Sequence, residues 1–162
     1  MDAIISAFQI SGVKMEIGED NIRILDNSDT KFRAIDIKTH EYPGFPTDLQ
    51  APMTVLLSQA DGKSEVFETI FENRFAYTED LEKMGAEINL WNPQKISIEG
   101  PTKLRHATLY GPDLRAGLAF IIAGIIARGD SEIRNAYFID RGYEKIEEKL
   151  TGIGVEIERV EE

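Results

Sequence analysis

Three arginines, Arg74, Arg115 and Arg141, fall at junctions beside helices, and two aspartates, Asp48 and Asp113, fall where apolar helices begin. Guanidinium groups gathered near helix amino ends make a site for carboxylate or phosphate oxygens. Their fork of donors matches two oxygens at once, and the helix dipole favours negative charge. A single surface arginine is ordinarily only solvated, and a single aspartate at a helix start is ordinarily only a cap. What sets this group apart is that four of the five recur.

Asp48 lies 65 residues before Asp113, Arg74 lies 67 before Arg141 and Gly85 lies 69 before Gly154, so the two stretches align as copies of one unit. Each copy reads as a short strand, an apolar helix opening at the aspartate, an alternating strand, a shorter amphipathic helix and a strand pair. In the shorter helices Tyr77, Leu81 and Met84, and again Tyr143, Ile146 and Leu150, recur at helical spacing and cover a core on one side. The middle copy, residues 33–102, is complete. It ends in a hairpin predicted to turn at Asn92 and Pro93, with Ile88, Leu90, Ile96 and Ile98 on one face. Residues 1–32 supply a helix and a hairpin near Gly18, a partial first repeat. Residues 103–162 form a third repeat that lacks its last strand and closes on a lone strand, VEIERVEE, whose acidic end EIERVEE is a solvated edge. The chain is therefore expected to be a single incomplete domain of a larger repeat protein, truncated at both ends.

Before Asp48 the stretch YPGFP, residues 42–46, sets unusually stiff geometry. Thr47 and Gln50 have capping-box spacing, and Pro52, which has no N–H, puts the helix start at or after Asp48, with Asp48 as N-cap. The helix over 114–127 carries Gly117 and Gly124, which suits tight packing on neighbours.

Composition removes several classes. The 162 residues are 42% hydrophobic, enough for one domain with a sizeable core, and the formal net charge of −11 repels nucleic acid. No cysteine is present, the start MDAIISAFQI has no basic leader, and the longest apolar run, GLAFIIAGIIA, is far short of about 20 residues needed to span a bilayer. A cytoplasmic protein without membrane or nucleic-acid partners is expected. His40 and His106 have no metal-ligand spacing, Trp91 reads as hairpin packing, and neither a metal nor a cofactor is expected.

Four motifs in order, YPGFPTDLQA, FENRF, GPDLRAG and FIDRGYEKIEEKL, resemble the carboxy-terminal part of the UDP-N-acetylglucosamine 1-carboxyvinyltransferases, the enolpyruvyl transferase family of peptidoglycan synthesis. The resemblance covers the whole chain but less than half of the family's length. It implies an α/β (α+β) fold, an inside-out barrel-like domain of βαβαββ repeats with helices inside and sheets outside. It implies transfer of the enolpyruvyl group of phosphoenolpyruvate to the 3'-hydroxyl of UDP-N-acetylglucosamine, with phosphate released through a tetrahedral intermediate.

Carried over by motif, Asp48 contacts the acceptor hydroxyl as general base, with YPGFP fixing its aim, and Ile70 contacts the UDP-sugar through its backbone. Arg74 and Arg115 grip the carboxylate of phosphoenolpyruvate. Asp113 assists proton transfer or orients the arginines, and Arg141 binds phosphoenolpyruvate and helps close the domains. Pro52 stands where the family is expected to have glutamine. The family's upstream lysine and its mobile cysteine or aspartate loop have no counterpart here, so the partners include the missing amino-terminal segments, and the isolated chain is expected to be inactive. Two other readings stay open: a 3-phosphoshikimate transferase of the same architecture, and a non-catalytic sugar-nucleotide binding module.

Overall fold

Alternating inward residues build the central sheet, and the two most apolar helices fill the space behind it. In the computed structural model, which describes residues 1–160, α1 spans Asp2–Ser11 and is followed by a hairpin of β1, Met15–Ile17, and β2, Ile22–Ile24. Next come β3 (Ile37–Lys38), a 3-10 turn at Thr47–Leu49 leading into α2 (Gln50–Leu57), β4 (Gly62–Phe67), α3 (Thr78–Lys83), and the hairpin of β5 (Glu87–Asn92) and β6 (Lys95–Gly100). That order is βαβαββ. The chain continues with β7 (Thr108–Tyr110), α4 (Leu114–Ile126), β8 (Glu132–Arg134), α5 (Tyr137–Asp140) and α6 (Ile146–Thr151).

The strands form a four-stranded sheet, β3-β4-β6-β5, and two separate pairs, β1-β2 and β7-β8. β3 runs parallel to β4, β6 antiparallel to both its neighbours, and β7 parallel to β8. Val66 pairs with Ile96 and Ser64 with Ile98, all buried, so this face of the sheet meets α2. α2 packs on α4 as well, and Val55, Leu57, Ala119, Phe120 and Ala123 have no exposed surface. Each large side chain buried this way contributes about 1.5–3 kcal/mol. Most of β5, by contrast, is exposed on the outside. Helices inside and strands outside is thus the observed arrangement of an α/β fold. Among the described residues, no helix is long and apolar enough to cross a membrane.

The amphipathic helices behave as their spacing predicts. Tyr77, Leu81 and Met84 are buried, Ile146 is buried, and Tyr143 and Leu150 are half-buried beside it. Gly85 and Gly154 end these helices with φ of +104° and +95°. Left-handed backbone carries no Cβ penalty only for glycine, which explains the pair's recurrence. Gly117 answers a different need: a Cβ there would stand 2.5 Å from Cγ1 of Ile139, so α5 lies directly on the backbone of α4.

Five expectations need correction. Asp48 is not an N-cap, and Thr47 and Gln50 form no capping box, because the 3-10 turn moves the α-helix start to Gln50 and the Thr47 hydroxyl is spent elsewhere. Pro52 then falls in the first turn of α2, where its missing N–H has no helical partner to lose. The hairpin turns at Pro93 and Gln94, with Asn92 Oδ1 accepting from the Gln94 amide at 2.9 Å, and a register shift after Leu90 leaves that side chain exposed. Residues 155–160 form no strand and join none of the sheets; instead Arg159 pairs with Asp140 and Glu147. Glu161 and Glu162 of the acidic tail lie outside the described residues.

Candidate active site

The segment before Asp48 is held at both ends. Thr39 bridges Phe45, whose carbonyl accepts from the His40 amide at 2.9 Å, and Phe45 is buried. Gly44 is required inside this loop, because a Cβ would fall 2.5 Å from Cβ of His40. The Tyr42–Pro43 peptide is cis. Beyond the loop, the Thr47 hydroxyl donates to Oε2 of Glu68 at 2.8 Å. Asp48 therefore projects from a backbone anchored on each side.

Its carboxylate turns outward, with 61% of the side chain exposed, and accepts from Nε of Arg115 on α4. This bond joins two repeats across the α2–α4 contact. It occupies only Nε, and among the described residues the two terminal nitrogens of Arg115 have no partner. Asp113 caps α4, with Oδ1 accepting from the amides of Arg115 at 2.7 Å and Ala116 at 3.1 Å. It holds the backbone from which Arg115 reaches.

A small cleft between the helices is lined by Thr47, Gln50, Arg74, Tyr77, Asp113 and Arg115 among others. Asn73, in left-handed conformation with φ of 57°, turns the chain into Arg74, whose guanidinium lies 4.3 Å from the centre of the Phe71 ring. Such stacking keeps the arginine flat while its donors stay available. Tyr77 is fully buried; its hydroxyl bonds Thr54 Oγ1 at 2.8 Å, and burial pushes the phenol well above its ordinary value, so it remains a protonated part of the wall.

Tyr143 senses the same site. Burial raises its phenol, the Asp48 charge raises it further, and Arg115 opposes them, which sets the start of the α5–α6 region beside the ion pair. Asp48, Arg74, Asp113 and Arg115 are thus brought together. Ile70 and Arg141 do not line the cleft: Ile70 follows β4 in a loop tied to Glu68, and Arg141 is exposed at the end of α5 with no ion pair among the described residues. A second, apolar hollow between Met1, Ile4 and Tyr42–Pro46 contains none of the predicted site residues.

Sequence reasoning missed Glu68, Thr47, Gln50 and Tyr77 as parts of this region. For Glu68 a signal existed. Ser64 and Val66 face inward from β4 and Glu68, one residue past its end, continues the alternation, so period two alone puts a carboxylate in the interior.

A family model described as EPSP synthase (3-phosphoshikimate 1-carboxyvinyltransferase) matches residues 1–150. The chain belongs to this enolpyruvyl transferase family. Among its relatives, the UDP-N-acetylglucosamine 1-carboxyvinyltransferase of Halothermothrix orenii is 42% identical over 160 residues, covering 99% of this chain and 38% of the relative. The UDP-N-acetylglucosamine 1-carboxyvinyltransferase 3 of Caldanaerobacter subterraneus subsp. tengcongensis is 45% identical over 162 residues, 100% of this chain and 38% of its own. The chain thus spans 38% of the length of these two curated relatives. In fold it matches the crystal structure of the enolpyruvyl transferase NikO from Streptomyces tendae with a TM-score of 0.86 at 24% identity, over 97% of this chain and 36% of that one. It also matches an EPSP synthase from Acinetobacter baumannii with a TM-score of 0.73 at 17% identity, over 98% of this chain and 36% of the other.

Proposed function

We propose that this chain is one wall of an enolpyruvyl transferase that moves the enolpyruvyl group of phosphoenolpyruvate to the 3'-hydroxyl of UDP-N-acetylglucosamine, the first committed step of peptidoglycan synthesis in the cytoplasm. The observation that carries the reading is the divided use of Arg115: its Nε holds Asp48 while its terminal nitrogens stay open to a second carboxylate. One guanidinium thereby serves both reactants.

A sugar hydroxyl is a weak nucleophile, so Asp48 takes its proton as the new C–O bond forms at C2 of phosphoenolpyruvate. The C3 methylene gains a proton from an acid of the amino-terminal wall, giving a tetrahedral intermediate, and return of a C3 proton to that group, as phosphate leaves with the C–O electron pair, restores the double bond. Arg115 and Arg74 bind the carboxylate of phosphoenolpyruvate, Asp113 orients Arg115 through its amide, Ile70 meets the UDP-sugar through its backbone, and Arg141 reaches the anion from α5 as the domains close. In a chain of net charge −11 these arginines supply the local positive potential that the whole lacks. The remaining wall comes from amino-terminal segments of the same enzyme, so this chain alone binds without turning over.

Titration calorimetry of the chain with UDP-N-acetylglucosamine tests this. Saturable binding that weakens about tenfold in Asp48→Ala, as expected for a lost hydrogen bond to a charged group, supports the assignment; no binding by a folded chain overturns it. The family model's description favours 3-phosphoshikimate as a second acceptor, and the same titration with that ligand decides between them. Identity of 42% to a UDP-N-acetylglucosamine enzyme, against 17% to the EPSP synthase of known structure, favours the nucleotide sugar.

A further inference from the structure

Glu68 has no exposed surface and, among the described residues, no cation as a bonded partner, a costly place for a carboxylate unless donors surround it. Four do. Oε1 accepts from the Thr39 hydroxyl at 2.9 Å and from the amides of Ile70 at 2.8 Å and Phe71 at 3.2 Å, while Oε2 accepts from the Thr47 hydroxyl at 2.8 Å. These donors come from three segments: the end of β3, the turn that carries Asp48, and the loop that carries Ile70 and leads to Arg74. A residue there for packing alone would be apolar like Val66, two positions earlier on the same face.

We propose that Glu68 is a positioning residue for the nucleotide-sugar half of the site, fixing the Asp48 turn and the Ile70 loop at one separation through the two oxygens of one rigid group. The proposal rests on the function given above and adds a residue to it. Glu68 touches no substrate. It acts through Thr47 on one side and the Ile70 and Phe71 amides on the other, so the base and the backbone that meets the sugar move as a unit.

The test uses the 15N-labelled chain with two variants. Thr47→Val removes only the Oε2 bond, and Glu68→Gln keeps an acceptor for the Oε1 donors while reversing the polarity toward Thr47. Both should melt within about 5 °C of the parent, because neither empties the core. Thr47→Val is expected to shift the amide resonances of Ile70 and Phe71, although they lie 23 and 24 residues away in sequence, and Glu68→Gln to shift those of Asp48 and Leu49. Both variants should weaken UDP-N-acetylglucosamine binding about fivefold to tenfold. Amide shifts confined to the neighbours of each mutation, or nucleotide-sugar binding equal to the parent's, would overturn the proposal. Should the parent bind no nucleotide sugar, the functional reading fails by itself, and the amide shifts still decide whether Glu68 couples the two loops.

Discussion

Asp113 turns its carboxylate back onto its own helix, accepting from two amides of α4, whereas Asp48, at the matching place 65 residues earlier, turns outward to Arg115. The local cause is a single 3-10 turn. With Thr47–Leu49 wound this way, α2 begins two residues beyond Asp48 and leaves that side chain out of capping range. Repeat-equivalent residues thus diverge through helix phase alone: one became a brace for Arg115, the other a carboxylate at the cleft mouth.

The contrast should be easiest to see in α4, where the helix is packed hardest. Gly117→Val is expected to destabilise the chain by about 2–3 kcal/mol through overpacking on Ile139, while Pro52→Ala, at the matching position of α2, should cost no more than about 1 kcal/mol, its unfolded-state benefit; chemical denaturation of both measures this. Equal losses would mean the two helix starts are under the same constraint. Next, Asp113→Ala should cost about 1 kcal/mol by removing a cap, with Asp113→Asn recovering most of it, whereas Asp48→Ala should change stability by less than about 0.5 kcal/mol because its ion pair is largely exposed. If Asp48→Ala proved as destabilising as Asp113→Ala, the comparison would collapse.

The smallest effect concerns the segment after α6. Arg159 hydrogen-bonds to Asp140 and holds that carboxyl below the ordinary 3.8. A lowered folded pKa adds stability above the ordinary value and loses it as pH falls through the folded one. The amide chemical shifts of residues 155–160 should therefore move toward unstructured values below about pH 4 and be unchanged between about pH 5 and pH 7. Arg159→Ala should remove that dependence.

Much of this molecule was legible in the sequence because periodicity reports burial directly: Tyr77, Leu81 and Met84 face the core as their spacing requires, and Gly85 and Gly154 mark the same left-handed turn twice. That Asp48 and Arg115 would share one site was expected from repetition plus family motifs, not from any local pattern, and the bond between them was not foreseen. What stayed hidden depended on partners distant in the chain. Thr47 looked like a cap because Glu68, 21 residues on, was invisible as its acceptor, and VEIERVEE looked like a strand because alternation cannot say whether a ladder stands beside it.

The Asp48–Arg115 bond spans 67 residues of chain and lies over two helices that pack chiefly on each other. Neither residue has its partner until both repeats have folded and docked, so a substitution buried between α2 and α4, far from any ligand, alters the geometry of the pair as surely as a change of either charge. Selection acting on the cleft is then also selection on that interior, and drift in the two helix faces must proceed by compensated pairs.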